Sequence, residues 1–315
     1  MAAFLLLGDS MKWSGKSFHS LNFFMQNKFG EKIVKIPIDA GFTCPNRDGL
    51  LSTGGCIFCS GRGSGDFIVN NPSITAQFYE YIKLIKKKWP KAKYIPYFQA
   101  FTNTYADVDT LRKKYYEALS LENIVGLSIA TRPDCLNDEI ISLLKEINEK
   151  TFLMVELGLQ SSKPATSFII NRCHDNEIFE SAVKKLKDAG INVVCHVILG
   201  LPYETKADML NTVKYAVNTG IDGIKLHLLY ICEDTEIAKM YKRGEFKALE
   251  FDEYIDLLIS AIEIIPENIV IHRITGDPPR DKVIAPQFSV KKFELLNAID
   301  REFKQRNTYQ GKFKE

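Results

Sequence analysis

Short apolar runs alternate with longer amphipathic stretches along the chain. Ile33–Ile38, Tyr94–Ala100, Ile124–Ala130, Phe152–Gly158, Ile191–Leu199 and Ile224–Tyr230 are apolar at mostly consecutive positions, which predicts strands buried on both faces. The stretches between them repeat at helical spacing. Ile74–Trp89 places Phe78, Ile82 and Ile85 on one face, and Leu111–Leu119, Asp138–Ile147, Glu177–Ala189 and Asp208–Asn218 follow the same logic. Asn137 and Asp175 stand where helix N-caps are expected, Thr205 and Asp208 have capping-box spacing, and Gly190 and Gly220 follow helix ends.

Six strand–helix repeats of this kind predict a parallel sheet. Two closures compete, a doubly wound sheet and a complete or partial barrel, and periodicity does not separate them. Polar residues gather at the predicted C-terminal ends of the strands: Asp39, Gln99, Thr131 with Arg132, Glu156 with Gln160, His196, and Lys225 with His227. That end carries the chemistry in α/β barrels and the ligand in open α/β sheets, so the clue favours a barrel but locates the site more firmly than the closure. From about Glu267 the pattern changes. Ile269–Ile271 reads as one more strand, followed by His272, Arg273, the Gly276–Arg280 turn and a last helix around Val290–Phe303.

Composition adds limits rather than direction. The chain has 315 residues, 45% hydrophobic and 25% charged, enough for a large core. A formal net charge of +2 does not announce a nucleic-acid binder. The apolar run Ala2–Leu7 is too short to span a bilayer and lacks the basic flank of a secretory signal. Met11 is a plausible second start, which would make residues 1–10 an extension. These features predict a cytoplasmic protein with no membrane partner.

The chemistry lies in the cysteines. Of seven, Cys135, Cys173, Cys195 and Cys232 are scattered, while Cys44, Cys56 and Cys59 share one glycine-rich stretch directly after a strand. Cys56-x-x-Cys59 alone is compatible with half a zinc knuckle or a redox dithiol. With Cys44 the set becomes three thiols, and a fourth zinc ligand would have to be His19 or a distant cysteine, neither at usual zinc spacing. Thiolate ligation of an iron–sulfur cluster fits better and leaves one iron open for an exogenous chelate. Zinc remains the competing reading of the spacing.

Asp39–Gly49 and Gly54–Cys59 resemble the radical S-adenosylmethionine (SAM) enzymes, in particular the elongator-like group with its widened first cysteine gap. Tyr97–Tyr105, Gly126–Asp134, Val155–Ser161, Ile170–Arg172, His196–Pro202, Lys225–Tyr230 and His272–Asp277 are similar to the bacterial YtqA/YhcC-type branch. The likeness runs from Met11 to about Asp300. Two positions depart from the pattern, Cys173 and Tyr203, each where glycine is expected.

The resemblance implies an α/β fold, a partial (β/α)6 barrel with a small C-terminal α+β extension. Its parts would be an N-terminal segment (1–28), the barrel core (29–265) and the extension (266–315). It also implies the cofactors, a [4Fe–4S] cluster on Cys44, Cys56 and Cys59 with SAM on the open iron. One electron, from a reductant such as flavodoxin or ferredoxin, would cleave SAM to methionine and a 5′-deoxyadenosyl radical, which takes hydrogen from the substrate.

Arg172 matches an arginine that pairs with the SAM carboxylate, a job suited to a bidentate fork. Glu156 is expected to accept from ribose or amine donors, or else to form a structural ion pair. Gln160 and Ser161 would continue that wall, and Gln99, Thr102 and Asn103 would lie by the methionine amine. His196 is a ribose candidate. Lys225, His227, Tyr230, His272, Arg273, Asp277 and Arg280 are substrate candidates. At branch level the resemblance points to tRNA, with a wobble-uridine carboxymethylaminomethyl group processed to aminomethyl. A small metabolite such as a tetrapyrrole, and a non-enzymatic zinc protein, are the alternatives. The Lys86–Lys93 segment and the basic tail from Arg301 are candidate phosphate contacts, with a solvated basic face as the alternative.

Overall fold

The structure, a computed structural model, describes residues 12–63, 65–66 and 68–314. The Ala2–Leu7 run and the alternative start at Met11 lie outside the described residues. The elements in chain order are α1 (Leu21–Phe29), β1 (Ile33–Ile38), α2 (Ile74–Ile85), β2 (Lys93–Phe98), α3 (Val108–Leu119), β3 (Gly126–Thr131), α4 (Asp138–Lys150) and β4 (Phe152–Gln160). They continue with α5 (Pro164–Ile169), α6 (Asn176–Asp188), β5 (Asn192–Leu199), α7 (Lys206–Asn218), β6 (Gly223–Leu228), β7 (Ile231–Cys232), α8 (Glu236–Lys242), α9 (Phe251–Ile264), β8 (Val270–Arg273), β9 (Val283–Ala285) and α10 (Lys292–Gln305). The main sheet has seven strands in the order β1-β2-β3-β4-β5-β6-β8, and β7 and β9 form a small antiparallel pair. The expected strand around Ile269–Ile271 is therefore the sheet's seventh, paired in parallel with β6 through Gly223↔Val270 and Ile224↔Ile271.

The described chain forms two compact units, one of Met25–Gly158 with Phe168–Cys195, the other of residues 12–24, Leu159–Ser167 and the chain from His196 onward. In the first unit β1 to β4 pair in parallel, in sequence order. Lys35 of β1 nonetheless bonds Glu156 of β4. Side chains stand perpendicular to a flat sheet, where strands three places apart are about 14 Å from each other. The contact requires these four strands to curl, which is the curvature of a barrel rather than of an open sheet. Helices cover the outer face: Phe98 meets Tyr115 edge-on at 5.3 Å, and Ile140, Leu143, Leu144 and Ile147 of α4 are buried.

In the second unit β6 buries Ile224, Leu226 and Leu228 on one side and turns Lys225 and His227 to the other. Helix α9 is apolar on most of its circumference, with Tyr254, Leu257, Leu258, Ala261 and Ile262 all buried, and Tyr254 donates to Ile274 O at 2.7 Å.

The caps explain most element starts. Asn137 accepts from Ile140 N, and Thr205 with Asp208 forms a complete capping box. Asp175 occupies its N-cap position but makes no side-chain cap bond. Helix α2 stops at Ile85, a turn before the expected Trp89, and Pro90 disfavours helical backbone at Trp89. Gly190 and Gly220 have φ of 72° and 85°. Among the described residues no helix is long and apolar enough to cross a membrane.

Candidate functional site

The cysteine loop follows β1 and is folded on itself by backbone bonds: Arg47 N donates to Cys44 O (2.8 Å), Gly55 N to Asn46 O (2.7 Å) and Cys59 N to Cys56 O (2.9 Å). Two side chains that the sequence reading gave no role hold it. Asn46 is completely buried; its Nδ2 donates to Asn171 O at 2.6 Å and points at Cys56 Sγ at 3.6 Å. Arg47 donates to the carbonyls of Cys59 (3.1 Å) and Ser60 (2.6 Å). Gly55 is what lets Arg47 through: its φ is 73°, and a Cβ there would stand 2.8 Å from Arg47 Nε.

Burial sets the state of the thiols. Cys56 is pushed up to about 12, by burial first and then by Cys59, with Arg132 pulling the other way and Cys44 adding to the rise. Cys59 is raised by burial and opposed by Arg47. Two guanidinium groups thus offset negative charge on this loop, and metal binding here would expel protons.

These residues fit an iron–sulfur cluster. Three thiols share one loop, and an amide donor faces one of the sulfurs. Among the described residues no three His, Cys, Asp or Glu side chains form a group ready to hold a metal ion. A cluster asks for no such convergence, since each thiolate takes a different iron.

Around the loop stand the other expected residues of the first unit. Thr102 N donates to Thr43 O (3.2 Å), and Gln99 N to Ile38 O (3.3 Å), which ties the 99–103 segment to the chain entering Cys44. Asn103 is fully buried with its Oδ1 unpartnered, while its N and Nδ2 both donate to Ala130 O. Arg172 is 2% exposed rather than on the surface, and it donates to His174 O (3.0 Å) and Asn176 Oδ1 (2.9 Å). His174 is held down to about 4 by burial and by the neighbouring Arg172 and Arg132. Arg132 grips Asp134 with two bonds and donates to Arg172 O at 3.0 Å.

Glu156 lies mid-strand, not at a strand end, and its side chain is fully buried in an ion pair with Lys35. Tyr97 OH and Ser128 Oγ each donate to it at 2.8 Å, and Lys35 Nζ lies 3.8 Å from the Tyr97 ring centroid. A lysine inside Ile-Val-Lys-Ile-Pro-Ile was the sequence's signal for this partner. A cavity of about 420 Å³ opens beside the cysteine loop, walled by Pro45, Leu50, Leu51, Tyr105, Cys135 and Ile140 among others.

The remaining candidates belong to the second unit. Gln160 ends β4 with φ of 65°, and Ser161 bonds Glu204, a carboxyl raised by burial that sequence reasoning missed. His196 and His227 have ring centroids 5.1 Å apart. His227 shares its strand face with the buried Lys225, and His272 fills the space over Gly223, where a Cβ would be 2.6 Å from its Nε2. Tyr230 closes over Gly276 in the same way. Asp277 is committed to Arg273 (3.3 Å) and Lys292 (2.5 Å), and Arg280 is exposed. The substrate set thus includes Lys225 and His227 on one face of β6 and, in Arg273 and Asp277, members of a charge cluster with Lys292.

The sequence matches the family described as the Radical SAM superfamily over residues 44–216, and that described as the Radical_SAM C-terminal domain over residues 221–305. It is 46% identical over 299 residues to the uncharacterized protein YtqA of Bacillus subtilis (strain 168), covering 95% of this chain and 93% of that one. Protein YhcC of Escherichia coli (strain K12) is 35% identical over 278 residues, 88% of this chain and 89% of the other. A shorter likeness, 32% over 166 residues (51% of this chain, 30% of the relative), is to a tRNA uridine(34) acetyltransferase of Methanocaldococcus infernus. Among solved structures, the archaeal Methanocaldococcus infernus Elp3 with an N-terminal deletion matches with a TM-score of 0.66 at 19% identity. That match covers 88% of this chain and 64% of the solved one, so the likeness is of fold and spans less than two thirds of that protein's length.

Proposed function

The chain belongs to the radical SAM superfamily, in its YtqA/YhcC branch, and on that premise we propose that its substrate is a tRNA wobble uridine bearing a carboxymethylaminomethyl group, which it converts to aminomethyl. The family uses a [4Fe–4S] cluster and SAM, so the chain is an enzyme that cleaves SAM reductively, and it needs a one-electron reductant, of which flavodoxin and ferredoxin are the proposed types.

In this reading Cys44, Cys56 and Cys59 hold the cluster and Asn46 and Arg47 fix their loop. Arg172 receives the SAM carboxylate, Gln99, Thr102 and Asn103 lie by its amine, and Gln160, Ser161 and His196 line the nucleoside. Glu156 acts by holding Lys35 in place. Lys225, His227 and His272 face the substrate.

The observation that carries the substrate is the shared stretch with a relative named for uridine 34 of tRNA. The exposed Lys83, Lys86, Lys87, Lys88 and Lys91, and the exposed tail residues Arg301, Lys304, Lys312 and Lys314, offer the sequence-independent phosphate contacts that a tRNA needs. The test is mass analysis of wobble nucleosides from cells with and without the gene. Accumulation of the carboxymethylaminomethyl form in the deleted strain supports the reading, and an unchanged nucleoside profile overturns it.

A further inference from the structure

A fourth thiol is fastened to the cysteine loop. Cys173 is exposed and sits at φ of 60°, a left-handed conformation that glycine adopts freely and a side chain resists. Its turn does not move independently of the cluster ligands. Ile57 N donates to Ile170 O (3.1 Å) and Asn46 Nδ2 to Asn171 O (2.6 Å). Asn171 Nδ2 donates to Ser52 Oγ (3.1 Å) and to Gly55 O (2.8 Å), the carbonyl preceding Cys56. Arg132 spans the turn from the other side, reaching Arg172 O and, at 3.5 Å, Cys173 O.

The thiol itself lies toward the loop. It donates to Asn171 Oδ1 at 3.1 Å, on the same amide that holds Gly55. Between Cys56 and this turn stands the fully buried Asn46, whose Oδ1 has no hydrogen-bond partner.

We infer that Cys173 is a reserve ligand of the cluster: while SAM is absent its thiolate takes the iron that Cys44, Cys56 and Cys59 leave open, and SAM displaces it. This rests on reading the three cysteines as the cluster site. The exchange transfers no electrons. The thiol releases its proton as the iron–sulfur bond forms, and the thiolate is reprotonated when the amine and carboxylate of SAM replace it. Glycine at this position would relieve the backbone and leave the iron bare. A serine would supply an oxygen, a poorer match than thiolate for an iron–sulfur cluster. The device shields the open iron from loss and makes SAM compete for its own site.

The test uses the full chain, reconstituted anaerobically, as wild type, Cys173→Gly and Cys173→Ser. Glycine suits the left-handed turn, so the first variant removes the thiol without straining the fold. Two quantities are read without turnover: the rate at which ferricyanide strips one iron from the SAM-free cluster, followed by electron paramagnetic resonance, and SAM affinity by equilibrium titration. In both variants iron loss is expected to be faster and SAM binding roughly tenfold tighter than in wild type, equivalent to about 1.4 kcal/mol. Equal iron-loss rates and equal SAM affinities in all three proteins, with the cluster present, overturn the role of Cys173 alone. A wild-type chain that takes up no cluster overturns the reading of the cysteine trio, and this inference with it.

Discussion

Asn46 joins three separate segments of chain, and its place shows what a residue list omits. The spacing of Cys44, Cys56 and Cys59 is local, so the thiols were legible in the sequence. Asn46 and Arg47 stand inside the same motif, but their partners are the carbonyls of Asn171, Cys59 and Ser60, and only folding brings the first of these within reach. The two departures from the family pattern have a common physical content: Cys173 and Tyr203 have φ of 60° and 61°, the region in which glycine would be unstrained. His174 gives this neighbourhood a pH signature. Its imidazole is held down to about 4 in the folded chain, against 6.5 for the free group. Between those values the unfolded chain binds the proton and the folded chain does not. The contribution is thus fully present above pH 6.5 and is lost as pH falls toward 4, a total of about 3 kcal/mol. Urea unfolding across this range is expected to show the loss in wild type and a flatter profile in His174→Gln. Parallel profiles would contradict the assignment.

At the level of elements, the apolar runs located every strand of the main sheet, with ends displaced by a few residues. Burial explains both the success and the shifts. Strands covered on both faces leave uninterrupted apolar runs, while Ala100, beyond the polar Gln99, extended the predicted strand past the end of β2 at Phe98. Helix α9 was not read, although Asp252, Asp256, Ser260 and Glu263 recur along it at helical spacing opposite the buried Tyr254, Leu257, Leu258, Ala261 and Ile262. Glu156 shows a related limit. Its carboxylate was visible inside an apolar run, but its partner lies three strands away on Lys35, and sequence distance gave no hint of the curl that joins them. Removing one member of a buried pair strands the other charge, so Glu156→Ala is expected to cost about 3–5 kcal/mol in urea-unfolding free energy. Adding Lys35→Met should recover most of it. A single variant as stable as wild type would show that the pair does not brace the four strands.

At the scale of the whole molecule, the alternation of elements limited the fold to parallel α/β, and the curled first unit together with the fold likeness to the archaeal Elp3 structure identifies it as the partial barrel of the radical SAM family. The sheet has one strand more than the six repeats implied, because the short, buried Val270–Ile271 segment closes against β6 after the regular alternation has ended. The polar residues read at the strand ends suggested where a site would lie, yet they did not name a substrate, since the same end of the same fold serves many chemistries. The formation of the radical is the step on which every other role depends. The direct measurement is 5′-deoxyadenosine released from SAM by the anaerobically reconstituted chain after one-electron reduction, with Cys44→Ala prepared in parallel. Deoxyadenosine and methionine are expected from wild type and neither from the variant. A wild-type chain with a full cluster that releases no deoxyadenosine, or a Cys44→Ala chain that releases as much as wild type, would contradict that expectation.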